Sequence, residues 1–132
     1  MRRYTAVLLG LCWLLASSPA QPTETPETVM VTLHARPGSE QELARVIARH
    51  WQTAERMKLV RDTPHLTLRG SEDGSKTYFV EIFTWRDGRI PDSAPSEIRE
   101  IWNDMNRLVE PRAGHAGLEF VPVSIAAPAT AL

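Results

Sequence analysis

The chain has 132 residues, of which 42% are apolar and 23% charged, and its formal net charge is -1. This is the size and composition of one globular domain and excludes a disordered chain. The near-zero charge, with no Lys/Arg cluster on any one element, excludes the electrostatic footprint of a nucleic-acid binder.

Residues 1–20 have the layout of a secretory signal. Arg2 and Arg3 give the positive start, residues 6–16 (AVLLGLCWLLA) the apolar middle, and Ser18-Pro19-Ala20 a small-residue cleavage point. The apolar run is shorter than the roughly 20 residues that span a bilayer, so cleavage, a secreted or periplasmic location and no membrane partner for the mature chain are expected, with an uncleaved N-terminal anchor as the alternative. Cleavage after Ala20 removes Cys12, the only cysteine. Disulfides, thiolate metal sites and cysteine nucleophiles are thereby excluded. Residues 21–27 (QPTETPE) read as a disordered linker, residues 28–125 as the domain and residues 126–132 as a flexible tail.

Residues 28–35 (TVMVTLHA) alternate, with Val29, Val31, Leu33 and Ala35 on one side and Met30, Thr32 and His34 on the other, as in a strand. Pro37-Gly38 breaks it, and Ser39 with Glu42 predicts a capping box opening a helix. Leu43, Val46, Ile47, His50, Ala54 and Met57 form that helix's inner stripe, and Asp62-Thr63-Pro64 stops the segment. Residues 65–70 (HLTLRG) are a second strand with Leu66 and Leu68 on one face and His65, Thr67 and Arg69 on the other. A turn over residues 71–75 leads into residues 76–85 (KTYFVEIFTW), whose β-branched and aromatic residues on both parities predict a central strand. Pairing Leu66 and Leu68 with Tyr78, Val80 and Ile82 requires an odd loop of about three or five residues, and places His65 and Thr67 on the face of Glu81.

Asp92 or Ser93 is expected to cap a second helix with Pro95 in its first turn. Its stripe is Ile98, Ile101, Trp102, Met105, Leu108 and Val109. Residues 117–125 form a last strand, placed at an edge by Pro122. The order strand, helix, strand, strand, helix, strand predicts an α+β, ferredoxin-like βαββαβ domain, a four-stranded antiparallel sheet with two helices on one face. The helices are expected to meet Val29, Val31, Leu33, Leu66, Leu68, Tyr78, Val80 and Ile82. The uncovered face then carries Met30, Thr32, His34, His65, Thr67, Arg69, Phe79, Glu81, Phe83 and Trp85. A patch with three large aromatics calls for cover, most economically by a second copy in a homodimer.

The opening strand and turn, VMVTLHARPGSEQEL, and the aromatic strand FVEIFTW resemble the antibiotic-biosynthesis-monooxygenase-like domains of the dimeric α/β-barrel superfamily, over residues 29–123. The resemblance implies sheets paired face to face, one pocket per protomer, and a cofactor-independent oxygenase acting on quinols or polyketide-like phenols, so no cofactor is expected. The second helix departs from many such domains in opening without a histidine.

His65, Glu81 and His34 are the candidate catalytic residues, since an imidazole beside a carboxylate in an aromatic pocket abstracts a phenolic proton as a general base. Thr32, Thr67, Arg69, Phe79, Phe83, Trp85 and Trp102 are the candidate substrate contacts. Trp102 and Met105 also fit a plain core stripe, and Asn103 and Asn106 a surface. Spread over three strands with no short paired spacing, the histidines and Glu81 do not predict a metal site. No nucleophile elbow, phosphate loop, dinucleotide fingerprint or H-E-x-x-H occurs. Two functions fit: a monooxygenase-like enzyme of a small quinol or phenol bound between sheet and helices, and a non-catalytic ligand-binding module on the same fold.

Overall fold

A computed structural model describes residues 22–126. The signal-peptide reading of residues 1–20 and nearly all of the tail lie outside the described residues. The elements follow the expected order: β1 (Glu27–His34), α1 (Glu40–Arg56), β2 (Val60–Glu72), β3 (Lys76–Trp85), α2 (Ser96–Leu108) and β4 (Leu118–Pro122), with a 3-10 helix over Ile90–Ser93. The sheet is antiparallel in the order β2-β3-β1-β4, so β3 is central and the proline-bearing β4 is an edge. The fold is ferredoxin-like α+β.

The hairpin register is the one the parity argument requires. Leu66 faces Ile82, Leu68 faces Val80 and Thr67 faces Glu81, around a three-residue loop between the closing pair Glu72 and Lys76. Asp73 and Gly74 both have positive φ in that loop, +49° and +73°, a conformation that aspartate tolerates and glycine adopts freely.

The hairpin faces are reversed with respect to the helices. β1 pairs Val29 with Phe83, Val31 with Glu81 and Leu33 with Phe79, and this row lies under the helices. Phe79, Phe83 and Trp85 are buried, whereas Leu66 and Leu68 are 52% and 53% exposed on the opposite face with Tyr78, Val80 and Ile82. Volume decides the face. Full burial of a large apolar side chain contributes about 1.5–3 kcal/mol. Three aromatics on one parity therefore outweigh the aliphatic residues of an edge hairpin, even though a carboxylate goes inside with them.

The helices pack by their predicted stripes: Leu43, Val46, Ile47, His50 and Ala54 of α1, and Ile98, Ile101 and Met105 of α2, are buried. Two local expectations change. Ser39 is the N-cap of α1 but makes no side-chain cap hydrogen bond, so the capping box is not formed. Residues Ile90–Ser93 form their own short 3-10 turn, and Pro95 rather than Asp92 or Ser93 is the N-cap of α2. β2 also begins earlier than residue 65, at Val60, with a break in register between Val60 and His65 that lets Val60 pair with Trp85.

Candidate functional site

The inward row of β3 places Glu81 in the middle of the covered sheet face, and Glu81 is 1% exposed. A carboxylate there requires partners. Two histidines supply them from opposite sides. His50, from the buried stripe of α1, brings Nδ1 to 3.7 Å from Glu81 Oε2, and His65, from β2, brings Nε2 to 3.5 Å from Oε1. Each carboxylate oxygen thus faces one imidazole.

The tautomer of His50 follows from its other nitrogen. The indole Nε1–H of Trp102, which only donates, donates to His50 Nε2 at 3.1 Å. Nε2 therefore carries the lone pair, and Nδ1–H is directed at Glu81. His65 is held by a parallel stack on Trp51, with ring centroids 3.6 Å apart and planes 6° apart.

Beside this cluster is a cavity of about 360 Å³ between the sheet and α2. Its floor is Val29, Val31, Glu81, Phe83 and Trp85, with His50 on the α1 side, Trp102, Met105 and Asn106 from α2, and Leu118 and Phe120 from β4. Pro91 and Asp92 from the 3-10 turn complete its lining. Phe83 and Trp85 pack edge to face at 4.9 Å, and Trp102 packs edge-on to Trp85 at 6.3 Å. The result is an aromatic and aliphatic chamber with one buried carboxylate–imidazole pair in its wall, the usual composition of a small-molecule pocket.

Several predicted site residues go elsewhere. His34 does not share a face with Glu81. It ends β1 on the other side, 3.7 Å from Glu72 through Nδ1, in a cluster where the buried Arg112 lies near Glu72 and Glu110 and donates to the carbonyls of Ala35 and Thr77. That cluster ties the chain after α2 to the ends of β1 and β3. Thr32 is likewise on the outer face, opposite Val80. Thr67 and Arg69 are on the inner side of β2 but exposed and outside the cavity lining, and Arg69 lies over the ring of Phe79 at 5.9 Å. Phe79 is packed in the core with Leu43, Val46 and Ile47. Phe83, Trp85 and Trp102 do line the cavity, whereas His65 contacts Glu81 from outside it.

His50 is the site residue that sequence reasoning placed in the core. The available signal was its position as an ionisable member of the otherwise apolar α1 stripe predicted from the spacing. Among the described residues, no group of three or more His, Cys, Asp or Glu side chains has a metal-holding arrangement.

The loop that carries Pro91 and Asp92 is anchored by Asp87, which accepts from the backbone N–H and the guanidinium of Arg89. The Arg89 side chain, then its N–H, hold the Asp87 carboxyl well below the usual carboxylate range. A lowered folded-state value adds stability that is complete above the unfolded carboxylate's value, about 3.9, and fades as pH falls from there through the folded value. Arg89→Ala is therefore expected to lower stability at pH 7 by an amount that shrinks below about pH 4, read from urea midpoints across pH. A difference independent of pH would contradict this linkage.

The ferredoxin-like fold is shared with solved structures described as antibiotic biosynthesis monooxygenases or cofactor-independent oxygenases. The cofactor-independent oxygenase SnoaB from Streptomyces nogalater, in a mutant form, is similar with a TM-score of 0.59 and 16% identity, over 80% of this chain and 98% of that one. An antibiotic-biosynthesis-monooxygenase-like protein from Bacteroides thetaiotaomicron is similar with a TM-score of 0.55 and 13% identity, over 81% of this chain and 95% of that one. A third such protein, from Chloroflexus aurantiacus, has a TM-score of 0.51 and 10% identity, over 79% and 98% of the two chains. No family model matches the sequence, and no curated protein matches it significantly.

Proposed function

We propose that this protein binds a small phenol or quinol in the cavity beside Glu81 and oxidises it with molecular oxygen, without a bound cofactor. The observation that carries the reading is the buried Glu81–His50 pair set into an otherwise apolar, aromatic wall. Glu81 takes the phenolic proton, and His50 Nδ1–H orients and steadies the carboxylate. The ring anion left in the cavity is electron-rich enough to react with oxygen directly. One phenol and one O2 give one quinone and one water, and one quinol and one O2 give one hydroxyquinone and one water, balances that need no external reductant. The likeness to SnoaB, a cofactor-independent oxygenase, supports the same reading.

We further propose that the chain is exported through residues 1–20 and works as a homodimer. The dimer reading rests on the outer sheet face, where Leu66, Leu68 and Val121 are exposed beside Met30, Val80 and Ile82. This face is mainly aliphatic, with Tyr78 at one end, because Phe79, Phe83 and Trp85 are under the helices.

An oxygen electrode with a panel of phenols and hydroquinones, in the presence of a chelator, tests the activity. Oxygen uptake matched by quinone absorbance is expected. Ligand binding without uptake would instead assign a non-catalytic binding module.

A further inference from the structure

We infer that His65 is the outlet through which protons collected at the cavity reach solvent, acting through Glu81 and touching no substrate. The inference rests on the proposed role of Glu81 as the base. A carboxylate that accepts a proton in every turnover has to lose it again, and Glu81 is 1% exposed and walled on one side by the cavity that the ligand occupies.

The two histidines differ in what they offer. His50 has a side chain only 4% exposed, and its Nε2 is engaged by Trp102, so it leads back into the cavity wall. The His65 side chain is 26% exposed, yet its Nε2 is fully buried without a hydrogen-bond partner, as is Glu81 Oε1. These two unpartnered atoms face each other at 3.5 Å. His65 lies outside the cavity lining, so this route stays open while ligand is bound. The Trp51 stack sets the plane of the ring, which is the same in either orientation of a half-turn about Cβ–Cγ.

The transfer balances. The substrate O–H bond breaks and a Glu81 O–H bond forms. That O–H then breaks as an Nε2–H bond forms on His65, while the ring's Nδ1–H proton leaves to water or buffer. A half-turn of the ring about its Cβ–Cγ bond then brings the Nε2–H to solvent, where water takes that proton while Nδ1 gains one, and the reverse turn restores the starting tautomer. His65 is thus a relay residue of the same kind as other solvent-linked imidazoles.

Stopped-flow mixing with 4-nitrophenol in weakly buffered solution, with a spectrally separate pH dye, reads both events: nitrophenolate formed on the protein and protons released to bulk. In the unmodified protein the two signals are expected together. His65→Ala and His65→Gln are expected to keep the nitrophenolate amplitude but delay proton release by about tenfold or more. Added imidazole should restore the rate in His65→Ala and not in His65→Gln, a response that a purely structural role does not produce. Release at the unmodified rate in both variants, or a delay in His65→Ala that imidazole leaves in place, overturns the inference while leaving Glu81 as the base. Nitrophenolate that persists in Glu81→Gln, or is absent from the unmodified protein, overturns the Glu81 reading and this inference with it.

Discussion

Glu81→Gln is expected to lower turnover of a phenolic substrate by about 10²- to 10⁴-fold, the range that a positioned general base contributes. The substitution is nearly isosteric. The amide keeps an oxygen facing His50 Nδ1, which lies 3.7 Å from Glu81 Oε2, so the wall of the cavity keeps its shape and KM should change much less than kcat. Stability is expected to hold or rise. Glu81 is buried at 1% exposure, and desolvating a carboxylate costs several kcal/mol before its partners offset it. A neutral amide avoids that cost. Lost turnover with retained or increased stability is the pattern of a group kept for chemistry, and oxygen uptake beside a urea melt measures both. If Glu81→Gln unfolds the protein at ordinary temperature while His50→Gln leaves turnover intact, the pair is structural and the enzyme reading is lost.

Much of the fold was legible because its signals are local. The period of two in β1, the stripes of α1 and α2, and the Asp73-Gly74 turn each depend on a few adjacent residues, and the structure keeps them. The hairpin register was legible too, since parity fixes which residues oppose each other. Parity does not say which face meets the helices. The expected arrangement sets Tyr78, Val80 and Ile82 with Leu66 and Leu68 against the helices and leaves the row of Glu81 uncovered. The structure follows the larger volume of Phe79, Phe83 and Trp85, and compensates Glu81 with His50 and His65.

The candidate site was legible in part for the same reason. His65 and Glu81 do meet, because cross-strand parity brings them to one face and the pair is a diagonal one, two residues off direct opposition, His65 being opposite Phe83 and Thr67 opposite Glu81. His34 failed with the face assignment, since β1 places it in the outer row with Tyr78. His50 was hidden for a different reason. Helical spacing identifies an inward side chain but not what it meets across the core, so a histidine in an apolar stripe reads as packing until the opposite sheet row is known.

Glutamates in place of Leu66 and Leu68 are expected to convert the proposed dimer to monomers, and this follows from the same reversal of faces. With the aromatics inside, the outer face offers Leu66 and Leu68 of the edge strand β2, 52% and 53% exposed, beside Val80 and Ile82 of the central strand. In a two-fold interface each substitution occurs twice, so the double variant introduces four carboxylates into a surface that must exclude water. Each lost apolar anchor at such an interface commonly costs about 2 kcal/mol or more, and every 1.4 kcal/mol is about tenfold in affinity. Dissociation by several orders of magnitude is the expected outcome. Light scattering after size exclusion at micromolar concentration should give twice the protomer mass for the unmodified protein and the protomer mass for Leu66→Glu/Leu68→Glu. Neither leucine touches the cavity or the Glu81 cluster, so 4-nitrophenol binding by the monomeric variant should persist. An unmodified protein that runs as a monomer across that range would leave the aliphatic face without the partner proposed for it.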